Sequence, residues 1–254
     1  MATVSFNKAK ENKTEEVEKI PAVVEAKAEL VPAVQETQLA APSETDCGGV
    51  EGEITGSDIK LPRINLVQKL GKLGDMFEPG SLVFNKDAVL STKKDTLEEV
   101  TVLRLKKQYQ EVLSYDSEEH PRLFDTMAEV REVGGSLFRG EGVLFSEIAH
   151  LQVAIKRPTN CSEESESLFC ESFDGADYAL ALWTLAKTAY TSSAKRIITT
   201  AGNQLKSTGL LGGNWSVSVE LRTSDKYAWY VPVFKLTGVH TPEAQQFFRS
   251  LLIR

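Results

Sequence analysis

The chain is poor in the residues that carry most metal and redox chemistry. Its 254 residues include three histidines and three cysteines. His120, His150 and His240 are far apart in sequence and far from any cysteine pair, and Cys47, Cys161 and Cys170 form no paired ligand spacing. Nothing therefore reads as a zinc site. An odd number of scattered thiols fits a reducing compartment better than a disulfide scaffold. No run reaches the roughly 18 apolar residues of a membrane span, and the first residues, Met1 to Lys8, lack a signal peptide's apolar core. The expected location is the cytoplasm, including that of an infected host cell, with no membrane partner.

Motifs for covalent or nucleotide chemistry are missing as well. Gly209-Leu-Leu-Gly-Gly213 lacks the Gly-Lys-Ser/Thr ending of a phosphate loop, and the glycines between Gly134 and Gly142 lack a Rossmann setting. No Gly-x-Ser-x-Gly elbow appears. Glu171, Asp174 and Asp177 could hold Mg2+ in a nuclease, but an Asp-Gly turn explains the same residues. The expectation is a binding module and not an enzyme, with no catalytic residue, no metal ligand and no cofactor.

What the chain does have is charge, unevenly spread. The formal net charge is -7, yet it averages over unlike regions. Residues 1 to 50 carry roughly nine acidic side chains against five lysines, with Pro21, Pro32 and Pro42 interrupting any long helix. Residues 1 to 56 are expected to be a disordered, acidic, low-complexity leader. From Leu180 to Thr237 the balance reverses, with about seven Lys and Arg against Glu220 and Asp225.

Residues 57 to 254 read as a single β-rich α+β domain. Pro62 argues for an extended edge segment over Asp58 to Gln68. Ser81–Phe84 and Ala88–Leu90 flank a turn at 85–87. Val100 to Leu113 is a strand with a basic second half, Leu123 to Val133 is either helix or strand, and Ile148 to Arg157 is a strand. Leu168–Phe173 and Tyr178–Leu185 pair across 174–177. Ala186 to Leu205 reads as one amphipathic helix, with Tyr190, Ala194, Ile197, Ile198, Ala201 and Leu205 on its apolar stripe. A hairpin of Trp215–Leu221 and Lys226–Lys235 comes next, with Trp215 and Phe234 as core and Pro232 marking an edge or bulge. Thr241, Pro242 and Glu243 start a terminal helix.

The remaining signal is aromatics among cations on strands, the combination that holds single-stranded nucleic acid by stacking its bases and following its phosphates. The candidate phosphate contacts are Arg104, Lys106, Lys107, Lys187, Lys195, Arg196, Arg222 and Lys226, with Lys60 and Arg63 secondary. The candidate stacking platforms are Tyr109, Tyr227, Trp229 and Tyr230.

Three short stretches carry a resemblance: Ile59-Lys-Leu-Pro-Arg-Ile-Asn-Leu-Val-Gln68, Pro79-Gly-Ser-Leu-Val-Phe84 and Tyr230-Val-Pro-Val-Phe-Lys-Leu-Thr-Gly238. In this order they resemble a group of bacteriophage proteins, some of which look like single-stranded DNA-binding proteins with an OB-type barrel. The resemblance implies an OB-like barrel with an internal helix and a C-terminal helix, a role in DNA replication or recombination, and phage replication or recombination proteins as partners. It brings no catalytic residues. The chain departs from the acidic C-terminal tail usual in such phage proteins, because its acidic segment is at the N-terminus. The alternative reading is a structural or assembly protein of a phage particle. Oligomeric state is left open.

Overall fold

The computed structural model describes residues 60 to 253 except 115, 116 and 118. The expected leader, 1 to 56, lies outside these residues. Pro62 stands just before β1 (Arg63–Leu66), so its missing N–H removes no bond from the ladder. A short helix, α1 (Lys72–Met76), buries no side chain and leads to the hairpin of β2 (Leu82–Phe84) and β3 (Ala88–Ser91). The long strand β4 (Leu97–Glu111) comes next, followed by β5 (Leu123–Phe124), α2 (Met127–Glu132), β6 (Gly135–Ser136) and a second long strand, β7 (Val143–Lys156). The segment Leu123 to Val133 is thus both strand and helix. Thr126 and Glu129 form a capping box that starts α2 just after β5 ends.

The acidic loop contains α3 (Glu163–Glu166), and β8 (Glu171–Phe173) then pairs with β9 (Ala176–Ala186). Phe173 faces Ala176 across Asp174 and Gly175, whose φ values of 49° and 73° are those of a two-residue type I′ turn. The expected single helix after β9 is α4 (Lys187–Ala189), a π-helical turn (Tyr190–Ala194) and α5 (Lys195–Asn203). The wider π turn shifts the helical phase of α5 relative to α4. Tyr190, Ala194, Ile197 and Leu205 are buried as the stripe predicts, but Ile198 is exposed and Ser193 is fully buried instead. The chain ends with β10 (Gly213–Thr223), β11 (Ala228–Val239) and α6 (Pro242–Ser250), where Thr241 Oγ1 accepts the Ala244 N–H at 3.3 Å as the cap. No helix among the described residues is long and apolar enough to cross a membrane.

The strands join in the order β11-β10-β4-β7-β9-β1-β2-β3, with β5, β6 and β8 attached at the side, and the sheet curls into a half-barrel. β1 corrects the expected edge segment: it lies between β9, which it meets in parallel, and β2. On the concave face Val100, Val102, Leu151, Val153, Ala181, Trp183, Trp215 and Phe234 meet Tyr190, Ala194 and Ile197 from the helix. Trp215 and Phe234 are core, as expected, with rings 6.5 Å apart in an edge arrangement. Part of the outer face, around Leu103, Ala154, Tyr178 and Leu180, is covered by Ala244, Phe248 and Leu251. A shared hydrogen bond of 2.7 Å between Thr101 Oγ1 and His240 Nε2 ties the start of α6 to β4.

The curl brings β11, at one end of the sheet, beside the residues that follow β1. Two side chains serve the outward backbone groups of this end strand. The Gln68 amide accepts from the Tyr230 N–H at 2.9 Å and donates to the Tyr230 carbonyl at 3.0 Å, as a neighbouring strand would. Ser193 donates to the Pro232 carbonyl, where the proline has no N–H to satisfy. Tyr230 also packs on Gly80, where a Cβ would come within 3.0 Å of its ring. Gln68→Ala removes both bonds to Tyr230 at once and is expected to cost about 1–3 kcal/mol in urea unfolding. A cost below about 0.5 kcal/mol would show that water replaces the amide and that it does not hold the seam.

Candidate functional site

β1 and β9 stay together only at Arg63 with Leu182 and Ile64 with Trp183. Beyond this point β9 turns into α4, β1 runs on towards Gln68, and the two part. The start of β11 lies across the gap. The result is a groove of about 1150 Å³ whose wall is built from three distant parts of the chain.

Its chemistry is one-sided. Arg63 and Lys69 come from the β1 side, Lys187 from the head of α4, and Tyr227, Trp229 and Tyr230 from β11 and the turn before it. Trp183 and Leu185 line it more deeply, and none of its lining residues is a carboxylate. Tyr227 is 68% exposed, while Trp229 is half-buried with its indole N–H bonded to no protein acceptor. His150 lines the same groove and shares a 3.0 Å hydrogen bond with Thr184. Burial, followed by the charges of Lys106 and Arg63, lowers its pKa below the ordinary histidine value and so favours the neutral ring.

Lys187 holds an unusual backbone. It links strand to helix at φ 54°, a left-handed conformation that costs a non-glycine residue about 1–2 kcal/mol. Such strain is found where a side chain has work that the backbone alone does not need.

Four expected contacts, Lys187, Tyr227, Trp229 and Tyr230, therefore meet in one groove. The basic end of β4 is divided between two faces. Val102 pairs with Val153 but Arg104 pairs with Gln152, so Leu103 is an extra residue in a β-bulge. After it, Arg104 and Lys106 point to the outer face, and Leu105, Lys107 and Tyr109 to the concave one. Tyr109 is buried with Val130 and Phe145 and offers no free ring for stacking. Lys107 and Lys195 both reach Glu147, at 2.6 and 3.3 Å, and lie over the Tyr190 ring. Burial works against the charged form of Glu147, yet the hydrogen bonds from Lys107 and Lys195 hold its pKa below the usual carboxylate value. For Lys107 burial is likewise outweighed, here by its bonds to Glu147 and Tyr109, and its pKa is raised. These two lysines share the one negative charge of Glu147.

Of the others, Lys106 pairs with Asp125 at 2.9 Å and Arg222 with Glu220 at 2.8 Å. Arg196 is exposed on α5, and Lys226 is exposed in the turn before β11. Arg104 is exposed on β4. Among the described residues no three His, Cys, Asp or Glu side chains gather as a metal ion would require, and Asp174 serves its turn. No protein-family model, curated protein or solved structure matches this chain.

Sequence reasoning missed Lys69, Gln68 and His150 as parts of this place. Only Lys69, beside the secondary candidate Arg63, carried a visible signal, because the groove arises from curling and not from local pattern. The strain at Lys187 gives a test of its own: Lys187→Gly relieves the left-handed backbone but adds unfolded-state freedom, so stability is expected to stay level or rise by up to about 1 kcal/mol. Destabilisation by more than about 1 kcal/mol in a denaturant titration would show that the lysine side chain supports the fold.

Proposed function

We propose that the protein binds single-stranded DNA with little sequence preference, and that it does so at the groove between β1, β9 and β11. One observation carries the reading: Arg63, Lys69 and Lys187 line one groove with Tyr227, Trp229 and Tyr230, and no carboxylate lines it. Cations follow phosphates and aromatic faces stack on bases, and every base has a face to offer, so such a site is tolerant of sequence. A duplex hides those faces within its own stack. The preference is therefore for the single strand.

The curled sheet and its internal helix support an OB-like barrel, with strands beyond the five of that fold added around it. The resemblance of the Pro-Arg-Ile and Val-Pro-Val-Phe stretches to phage proteins supports service in DNA replication or recombination, in the cytoplasm of an infected cell, beside other proteins of that machinery. Binding of this kind needs no catalytic residue.

Fluorescence anisotropy with short labelled single-stranded and duplex oligonucleotides tests the reading. With three groove cations engaged, the log affinity of the single strand is expected to fall with log salt at a slope of about -2, or roughly twentyfold between 50 and 200 mM. Tyr227→Ala removes an exposed ring, leaves the melting curve unchanged and weakens the single strand about tenfold. Equal binding of duplex and single strand, or none at low salt, overturns the proposal and favours the particle-assembly role.

A further inference from the structure

The outer face of the sheet is covered in part. α6 packs over Leu103, Ala154, Leu180 and Tyr178 as far as the β4 bulge, while Ile148, further along the same face, is buried as well. Beyond the bulge the register places two cross-strand rows on the bare face. Arg104, Gln152, Leu182 and Arg63 lie opposite one another across β4, β7, β9 and β1. Lys106, His150 and Thr184 form the row beside it.

Residues facing each other across a ladder share a face and lie within about 5.5 Å at their Cβ atoms, so each row is continuous. Neither row contains a carboxylate. The rows also run into the groove, because Arg63, Leu182, His150 and Thr184 line it while Arg104 and Lys106 do not. Among the described residues, Asp125 meets Lys106 from the side at 2.9 Å and accepts from the Gln108 amide at 2.6 Å.

We infer that a single strand longer than the groove leaves it at Arg63 and crosses the bare outer face over β9 and β7 to Arg104 and Lys106. This rests on the groove reading and extends it: the occupant is a continuous polyanion, and its path is set by the bulge that turns Arg104 and Lys106 outward. Three spacings of about 4.8 Å separate β1 from β4, a crossing of about 14 Å that brings further phosphates to the two cations. The polar side chains of Gln152 and Thr184 give the path hydrogen-bonding capacity with no base-specific geometry.

The test compares oligothymidylates of about four and about twelve nucleotides, a range that spans the site sizes of small single-strand binders. In the wild-type protein the longer one binds more tightly and with the steeper salt dependence. Arg104→Ala with Lys106→Ala leaves the short oligonucleotide within about twofold and makes the salt slope of the long one shallower by about 1.4, from two lost phosphate contacts on a single strand. Asp125→Asn frees Lys106 and is expected to tighten the long oligonucleotide alone. If the short oligonucleotide binds but neither change alters the long one, the outer path is wrong and the groove stands. If neither oligonucleotide binds the wild-type protein, the groove reading fails and the path fails with it.

Discussion

An end strand of a sheet presents a row of unpaired N–H and C=O groups, and a protein must cover them or risk pairing with another chain. Here the sheet curls until its own first residues reach that edge. Gln68 supplies one donor and one acceptor to Tyr230, and Ser193 supplies a donor to Pro232. Both contacts span long stretches of chain, and both depend on side chains in place of a further strand. Because the closure is made by side chains, it leaves room where strands would otherwise pair. The groove is that room, and its walls are the end strand β11 and the parting strands β1 and β9.

A second constraint sorts the charges. Strict alternation along β4 would carry the phase of Val100 and Val102 to its far end, and the extra residue Leu103 reverses it. Lys107 is turned onto Glu147 and the tyrosine rings, where it joins β4 to β7 while Lys195 joins α5 to the same carboxylate. Arg104 and Lys106 are turned to the outer face, which α6 leaves open. One inserted residue thus separates Lys107, which holds the structure, from the exposed Arg104 and from Lys106, which Asp125 pairs at the side, although all three are neighbours in sequence.

The degree to which the fold was legible in the sequence depends on the range of each interaction. The C-terminal helix was readable because Thr241, Pro242 and Glu243 act within one turn. The hairpin of β10 and β11 was readable from alternation, and Trp215 and Phe234 went to the core as two large rings on facing strands should. The turn at Asp174 and Gly175 was a local backbone preference. What was not legible lay in long-range geometry. Alternation does not announce a bulge between Val102 and Arg104, a helical stripe does not announce a π turn, and Pro62 reads as an edge signal although β1 begins just after it and lies inside the sheet. For the site, composition pointed to Tyr227, Trp229, Tyr230 and Lys187, but it could not separate them from Lys107, Lys195 and Tyr109, whose partners Glu147 and Val130 come from other elements.

The seam of the curled sheet is the surface proposed to meet nucleic acid. Photocrosslinking of a bromouracil-substituted single strand to the full chain, with mass spectrometry of the adducts, tests it directly. Adducts are expected on Tyr227, Trp229 or Tyr230, which line the groove. Adducts confined to other aromatics, such as Phe138 on its exposed loop or Phe247 on α6, with none at the seam, would contradict it.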